Sequence, residues 1–149
     1  MLAGGGIDSS LCIQLLVEAG RIVRPLHIDY GQPSAAEEWR AVTRIASQFD
    51  LDADQVAVAG KRNPFKAEVP GRNAALVFIG LMHMRESEHV LCLGIHAGTP
   101  FYDCTESFFN LVSRLVVEQT NAAVRLVAPI LQMQKSEIAT MARAKRLDI

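Results

Sequence analysis

The first residues of the chain carry the groups with the clearest chemistry: Gly4-Gly5-Gly6, then Ile7, Asp8, Ser9 and Ser10. Consecutive glycines can turn sharply and gather backbone N–H groups into a concave anion site, because no Cβ atoms obstruct the approach. Ser9 and Ser10 open an apolar-periodic stretch, Leu11, Leu15, Leu16 and Ala19, that stops at Gly20. The glycine turn therefore feeds a helix N-terminus, whose unpaired N–H groups and positive dipole end serve the same place. Phosphate is the guest this favours, with a plain turn and helix cap as the alternative. Asp8 would repel phosphate unless a cation or a sugar hydroxyl lay between them, which points to a nucleotide with its metal, or else to a capping carboxylate. No lysine follows the glycines, so the segment is not a Walker A loop, nor is it a dinucleotide fingerprint.

These residues need a scaffold, and the remaining chain supplies alternating elements. Ile22 to Ile28 is a β-branched run with Pro25 at an edge or bulge, and it ends in the strand tip Asp29-Tyr30-Gly31-Gln32. Ser34 and Glu37 have capping-box spacing for a helix to about Phe49, with Trp39, Val42, Ile45, Ala46 and Phe49 as its buried stripe. Gln55 to Ala59 reads as a short strand and Gly60 to Ala67 as a basic loop. Past Pro70-Gly71, Asn73 caps a nearly all-apolar helix to about Met84, which must be buried on most sides. Val90 to Leu93 is a strand ending at Gly94, and Ile95 to Asp103 is a polar and aromatic loop. Thr105 begins a helix to near Asn121 with Phe108, Phe109, Leu111, Val112, Leu115 and Val116 inward. Val124 to Ala128 is a strand stopped by Pro129, and a last helix runs from about Lys135 to Lys145.

Strands apolar on both faces, alternating with helices, predict an α/β/α sandwich: a parallel sheet joined by right-handed crossovers, in one domain over 1–149. Ligands of such sheets bind at the carboxyl ends of the strands, and every chemically unusual segment follows a strand. Only Met1, Leu2 and Ala3 precede the glycine turn, so its leading strand is nearly absent.

Composition narrows the function classes. Half of the 149 residues are hydrophobic and 21% are charged, which excludes a disordered chain. A net charge of -1 supplies no basic field for nucleic acid, so a small-molecule partner is expected. Cys12, Cys92 and Cys104 lie far apart without metal-ligand spacing, as suits reduced thiols in a cytoplasmic protein. The longest apolar runs, such as Ala74 to Met82, fall short of a membrane span, and no charged lead of a signal peptide is visible.

Gly4, Gly5, Gly6, Ile7, Asp8 and Ser9 resemble the Ser-Gly-Gly-x-Asp-Ser signature of the PP-loop ATP pyrophosphatases, with Gly4 in place of the first serine. Further blocks follow the order and approximate spacing of the 7-cyano-7-deazaguanine synthases. They are Asp29-Tyr30-Gly31-Gln32, Val69-Pro70-Gly71-Arg72-Asn73, Asp103-Cys104, and Ala128-Pro129-Ile130 with Lys135-Ser136-Glu137-Ile138. The resemblance implies a Rossmann-like, adenine nucleotide alpha hydrolase-like fold and a possible homodimer. It also implies activation of 7-carboxy-7-deazaguanine by ATP, release of pyrophosphate, and amination by ammonia through an amide to the nitrile. Related PP-loop ligases acting on another acceptor, and a non-catalytic nucleotide-binding subunit, are the alternatives. Within this reading Gly4 to Gly6 with Ser9 and Ser10 supply donors to the phosphates, and Mg²⁺ bridges them. Asp8, Ser9 and Lys135 are then the catalytic residues, and Gln32 and Asn73 belong to the substrate-binding set.

Several of these residues have ordinary alternatives. Lys135 is a phosphate contact or a solvated first-turn lysine that gains nothing from the helix dipole. Arg72 forms a bidentate pair with phosphate or carboxylate, or pairs with Glu68 in a solvated loop. Asp29 binds Mg²⁺ or ribose, or caps its loop. Tyr30 and Phe101 stack on a purine-like base, or belong to the core. Asp103 accepts from a guanine edge, or caps a helix. His96 contacts substrate or carries a proton, whereas His27, His83, His89 and Cys104 read as structural or surface residues. The family's zinc-binding cysteine cluster is absent from this sequence, and Pro33-Ser34 replaces a histidine expected after Gln32.

Overall fold

The computed structural model describes residues 1–60 and 69–147. The expected basic loop lies outside the described residues from Lys61 on, as does Glu68, weighed as a partner of Arg72. Strand β1 (Leu26–Asp29) pairs in parallel with β2 (Asp54–Ala57), and β3 (Val90–Cys92) pairs in parallel with β4 (Arg125–Val127). Residues 1–3 join the two pairs. Leu2 bridges both Leu26 and Leu93 in parallel. Its N–H donates to the Cys92 carbonyl at 2.9 Å, while Ala3 N–H donates to Leu26 O at 2.9 Å and Leu26 N–H to Met1 O at 2.8 Å. Residues 1–3 therefore stand at the centre of the row β2, β1, residues 1–3, β3, β4.

The parallel α/β sandwich expected from the alternation is what forms. On one face Leu2, Leu26 and Ile28 pack with Val77 of α3 (Arg72–Met82) and with Phe108, Val112 and Val116 of α4 (Glu106–Gln119). On the other, Met1, Ala3 and Cys92 pack with Leu11, Cys12 and Ile13 of α1 (Ile7–Glu18), Val42 and Ile45 of α2 (Ala35–Gln48), and Ile138 of α5 (Lys135–Ala144). Side chains on successive strand residues point to opposite faces, which is how so short a central segment serves both layers.

Local details depart from the periodicity reading. Ser34 sits at φ -86°, ψ 5° rather than in the extended region that a capping side chain needs, so it makes no cap; its hydroxyl donates to Glu38 Oε1 at 2.6 Å. Gly71, at φ 74°, takes the cap position of α3, and Asn73 lies inside the first turn. That helix covers the sheet on one side only, so Asn73, Val77 and Gly80 are buried while Met82 is 82% exposed. In α4 the four-residue rhythm of Phe108, Val112 and Val116 takes the sheet, which turns Leu111 and Leu115 outward. Thr105 does cap α4, its Oγ1 accepting from Phe108 N–H at 3.2 Å.

At the opposite, amino-terminal edge of the strands Arg24 gathers carboxylates. Its Nε and Nη2 donate to Glu88 Oε1 and Oε2, each at 2.6 Å, and its Nη1 to Asp54 Oδ2 at 2.9 Å, a site shared with Arg85 at 2.9 Å. The Arg24 guanidinium holds the Glu88 carboxyl down at about 2.

Candidate active site

The row of strands reverses direction of growth between residues 1–3 and β3, since the chain builds β1 and β2 on one side and returns to build β3 and β4 on the other. Ligands of open α/β sheets bind in the crevice at such a switch point, outside the carboxyl ends. A cleft of about 370 Å³ opens there, lined by Gly4, Gly6, Asp8 and Ser9 at one end and by Arg72, Asn73, His96 and Phe101 elsewhere.

The glycines have separate tasks. Gly5 lies at φ 69°, and a Cβ there would sit 2.6 Å from Ala41 Cβ and 2.7 Å from the Glu38 carbonyl oxygen, so the turn rests directly on α2. A Cβ on Gly4 or Gly6 would meet nothing within 4 Å. The turn ends where Ser10 N–H donates to Gly6 O at 3.0 Å, with Ser9 Oγ donating to the same carbonyl at 3.0 Å. Ser10 Oγ is buried and unpartnered among the described residues.

Asp8 stands in the first turn of α1, not at its cap, which is Gly6. Lys135 Nζ, 127 residues away in sequence, donates to Asp8 Oδ1 at 2.7 Å and Oδ2 at 2.9 Å. His96 Nε2 lies 3.9 Å from Oδ2. Three expected site residues from α1, the loop after β3 and the start of α5 thus converge at one corner of the cleft.

The other expected site residues are placed as follows. Tyr30 lines the cleft, but Gln32 is buried and its amide is spent internally, accepting from Tyr30 N–H at 2.9 Å and donating to Glu38 Oε2 at 2.8 Å. Asp29 Oδ1 accepts from Gly31 N–H at 2.8 Å, closing the strand-tip turn. Arg72 lines the cleft with its Nε 3.3 Å from Asn73 Oδ1. Asn73 in turn donates to the Asp103 carbonyl at 3.0 Å, which ties the start of α3 to the aromatic loop. Asp103 Oδ1 lies 3.8 Å from Cys104 Sγ. Phe101 is 43% exposed at the mouth.

Four residues that line the cleft are not among those the sequence put forward for the site. Glu38 lines the cleft but reads in sequence as one more acid on the polar face of α2. Gly94 carries the loop over α1, since a Cβ there would be 3.2 Å from Ser9 N and Cα; a glycine closing a strand is the signal that was available. His27 is buried in the cleft wall, stacked on Trp39 at 6.0 Å and 3.1 Å from the Ala3 carbonyl through Nδ1. Cys104 also lines the cleft, where burial pushes its thiol up and keeps it protonated.

The family model described as Queuosine biosynthesis protein QueC matches residues 1–60 and 57–149. The chain belongs to the QueC family. Among relatives, it is 30% identical to 7-cyano-7-deazaguanine synthase 2 of Rhodopseudomonas palustris over 95% of this chain and 76% of that one. It is 26% identical to the 7-cyano-7-deazaguanine synthase of Methanothermobacter thermautotrophicus, over 92% and 75%. A predicted subunit of tRNA methyltransferase from Methanocaldococcus jannaschii, known from its crystal structure, superposes with a TM-score of 0.61 at 12% identity, covering 95% of this chain and 72% of that one, and so shares the fold. QueC relatives of this kind are synthases, so the chain stands in an enzyme family of the ligase type. Among the described residues of this QueC chain no group of three or more His, Cys, Asp or Glu is arranged to hold a metal, and no helix is long and apolar enough to cross a membrane.

Proposed function

We propose that the cleft activates the carboxylate of 7-carboxy-7-deazaguanine with ATP and passes it to ammonia, giving 7-cyano-7-deazaguanine by way of the amide. The observation that carries the reading is the meeting of Asp8 and Lys135, within 2.7 Å, at the mouth of the glycine turn in a chain of the QueC family. In the first step a carboxylate oxygen attacks the α-phosphorus, the bond to the bridging oxygen breaks, and pyrophosphate leaves with growing negative charge. Backbone N–H groups of the turn and of the first residues of α1 are donors for that charge, and Lys135 moves from Asp8 onto the phosphates to complete the set. Ammonia then attacks the acyl carbon and AMP departs, leaving the amide; the amide oxygen attacks the α-phosphorus of a second ATP with loss of pyrophosphate, and AMP leaves with that oxygen as the nitrogen gives up its two protons and the nitrile forms.

Mg²⁺ suits the donor set, because it is held by one or two carboxylates together with substrate phosphates rather than by an all-protein cage. Asp8 is the residue that would hold it, and the ion would neutralise phosphate charge. The three cysteines do not suit zinc, since Cys12, Cys92 and Cys104 are each buried and belong to no ligand cluster among the described residues. Phe101 and Tyr30 offer faces to the deazaguanine ring, and Arg72 offers its guanidinium to the carboxylate or a phosphate. The enzyme works in the cytoplasm on small molecules rather than nucleic acid, and the exposed Leu111 and Leu115 of α4 suit a homodimer contact.

Pyrophosphate release is the test. Release that requires both ATP and 7-carboxy-7-deazaguanine, and nitrile formation when ammonia is added, is expected; release with other acids at equal rate would overturn the assignment of the acceptor.

A further inference from the structure

Asp8 faces two partners of different character. Lys135 reaches it with a side chain that is 54% exposed and can swing away. His96 is 3% exposed and cannot. Gly98 N–H donates into His96 Nδ1 at 3.2 Å, which in the neutral imidazole leaves the proton on Nε2. Nε2 is the nitrogen that faces Asp8, at 3.9 Å from Oδ2.

The loop that carries His96 is fitted to this arrangement. A Cβ on Gly98 would lie 3.0 Å from His96 Nδ1 and 3.2 Å from Gln134 Oε1, so a larger residue would press on both the ring and the residue before α5. Ala97 N–H is anchored to the Leu131 carbonyl at 2.8 Å, and Gly94 lies against the backbone of Asp8 and Ser9. The ring is thereby held beside the first turn of α1 with Nε2 on the side of the carboxylate.

We propose that His96 is a positioning residue for Asp8: its fixed Nε2–H keeps the carboxylate directed into the cleft when Lys135 leaves for the nucleotide phosphates. The proposal rests on the nucleotide-activating reading above. At 3.9 Å the contact is longer than a hydrogen bond, and the carboxylate turns toward His96 as Lys135 releases it. Without that N–H the carboxylate that would hold Mg²⁺ is misdirected as the phosphates arrive, and a misplaced charged group costs turnover more than binding.

The experiment compares His96→Leu with His96→Gln, whose side-chain amide restores an N–H at similar reach. In the Leu variant kcat for pyrophosphate release should fall roughly tenfold to a hundredfold, while KM for ATP changes less than about threefold; the Gln variant should recover most of kcat. A folded Leu variant with full kcat, or a Gln variant no better than Leu, overturns the proposal. If the unaltered protein releases no pyrophosphate with any acid, the activation reading fails, and the positioning is judged from two-bond ¹H–¹⁵N spectra of the full chain. Those should show His96 as the Nε2–H tautomer, with that proton moving downfield in Lys135→Met as Asp8 turns to it. A proton on Nδ1, or a resonance indifferent to Lys135, overturns it.

Discussion

Replacing Gly5 by alanine separates the architecture of the glycine turn from its chemistry. At φ 69° an L-residue pays roughly 1–2 kcal/mol for the left-handed conformation. The added methyl would also lie 2.6 Å from Ala41 Cβ and 2.7 Å from the Glu38 carbonyl, both on α2, where neither neighbour is the end of a flexible chain. Relieving that overlap means moving the turn off α2, an overpacking cost of about 1–3 kcal/mol. Together these give about 2–5 kcal/mol lost from folding stability for Gly5→Ala. Gly4→Ala and Gly6→Ala meet nothing within 4 Å and should lose less than about 1 kcal/mol each. Urea unfolding of the three variants, followed by calorimetric titration with ATP and Mg²⁺, measures both quantities. Gly6→Ala is then expected to weaken ATP with stability kept, because a methyl at the cleft end of the turn occupies the ligand's space. A Gly5→Ala protein within about 0.5 kcal/mol of the parent would refute the packing argument.

Lys135→Met should lower pyrophosphate release at least a hundredfold, the usual cost of removing a donor from a developing oxyanion, while leaving the unfolding midpoint little changed because its partner Asp8 is solvent-reachable. Phe101→Ala should raise KM for the acid acceptor about fivefold through lost stacking, with KM for ATP unmoved; an equal rise in both would place Phe101 elsewhere. The Glu88 carboxyl is held at about 2 against an ordinary 4.5, so its contribution is present above 4.5 and lost as pH falls through 2. Comparing Glu88→Gln with the parent by thermal unfolding should therefore show a gap of about 2 kcal/mol at pH 6, discounted for the water that reaches the pair, that narrows below pH 4; a gap independent of pH would refute the pairing with Arg24.

Much of the fold was readable because alternating apolar strands and amphipathic helices leave few architectures, and the strand and helix positions followed the periodicity within a few residues. What periodicity misjudged were positions decided by neighbours. Leu111 and Leu115 have the same apolar character as Phe108 and Val112, and only the direction of the sheet tells which row is buried. The spacing of Ser34 and Glu37 matched a capping box, but the backbone entering α2 does not take the extended conformation that a cap requires. Within the site, the nearness of Asp8 and Lys135 was not deducible from a separation of 127 residues except through the family resemblance. The internal use of Gln32, held by Tyr30 and Glu38, and the lining role of Glu38 itself depend on a turn whose shape no residue type specifies.

Residues 1–3 stand at the centre of the sheet and run straight into the glycine turn. They are a seam between halves that otherwise have their own paired strands: the Leu2 amide is held by Cys92 of one half and the Ala3 amide by Leu26 of the other, so the two are hydrogen-bonded together only when both halves have docked. Hydrogen exchange at those amides therefore times the closing of the whole sheet. A nucleotide gripping the turn would pull on the same seam, making ligand occupancy and the joining of the halves one cooperative event.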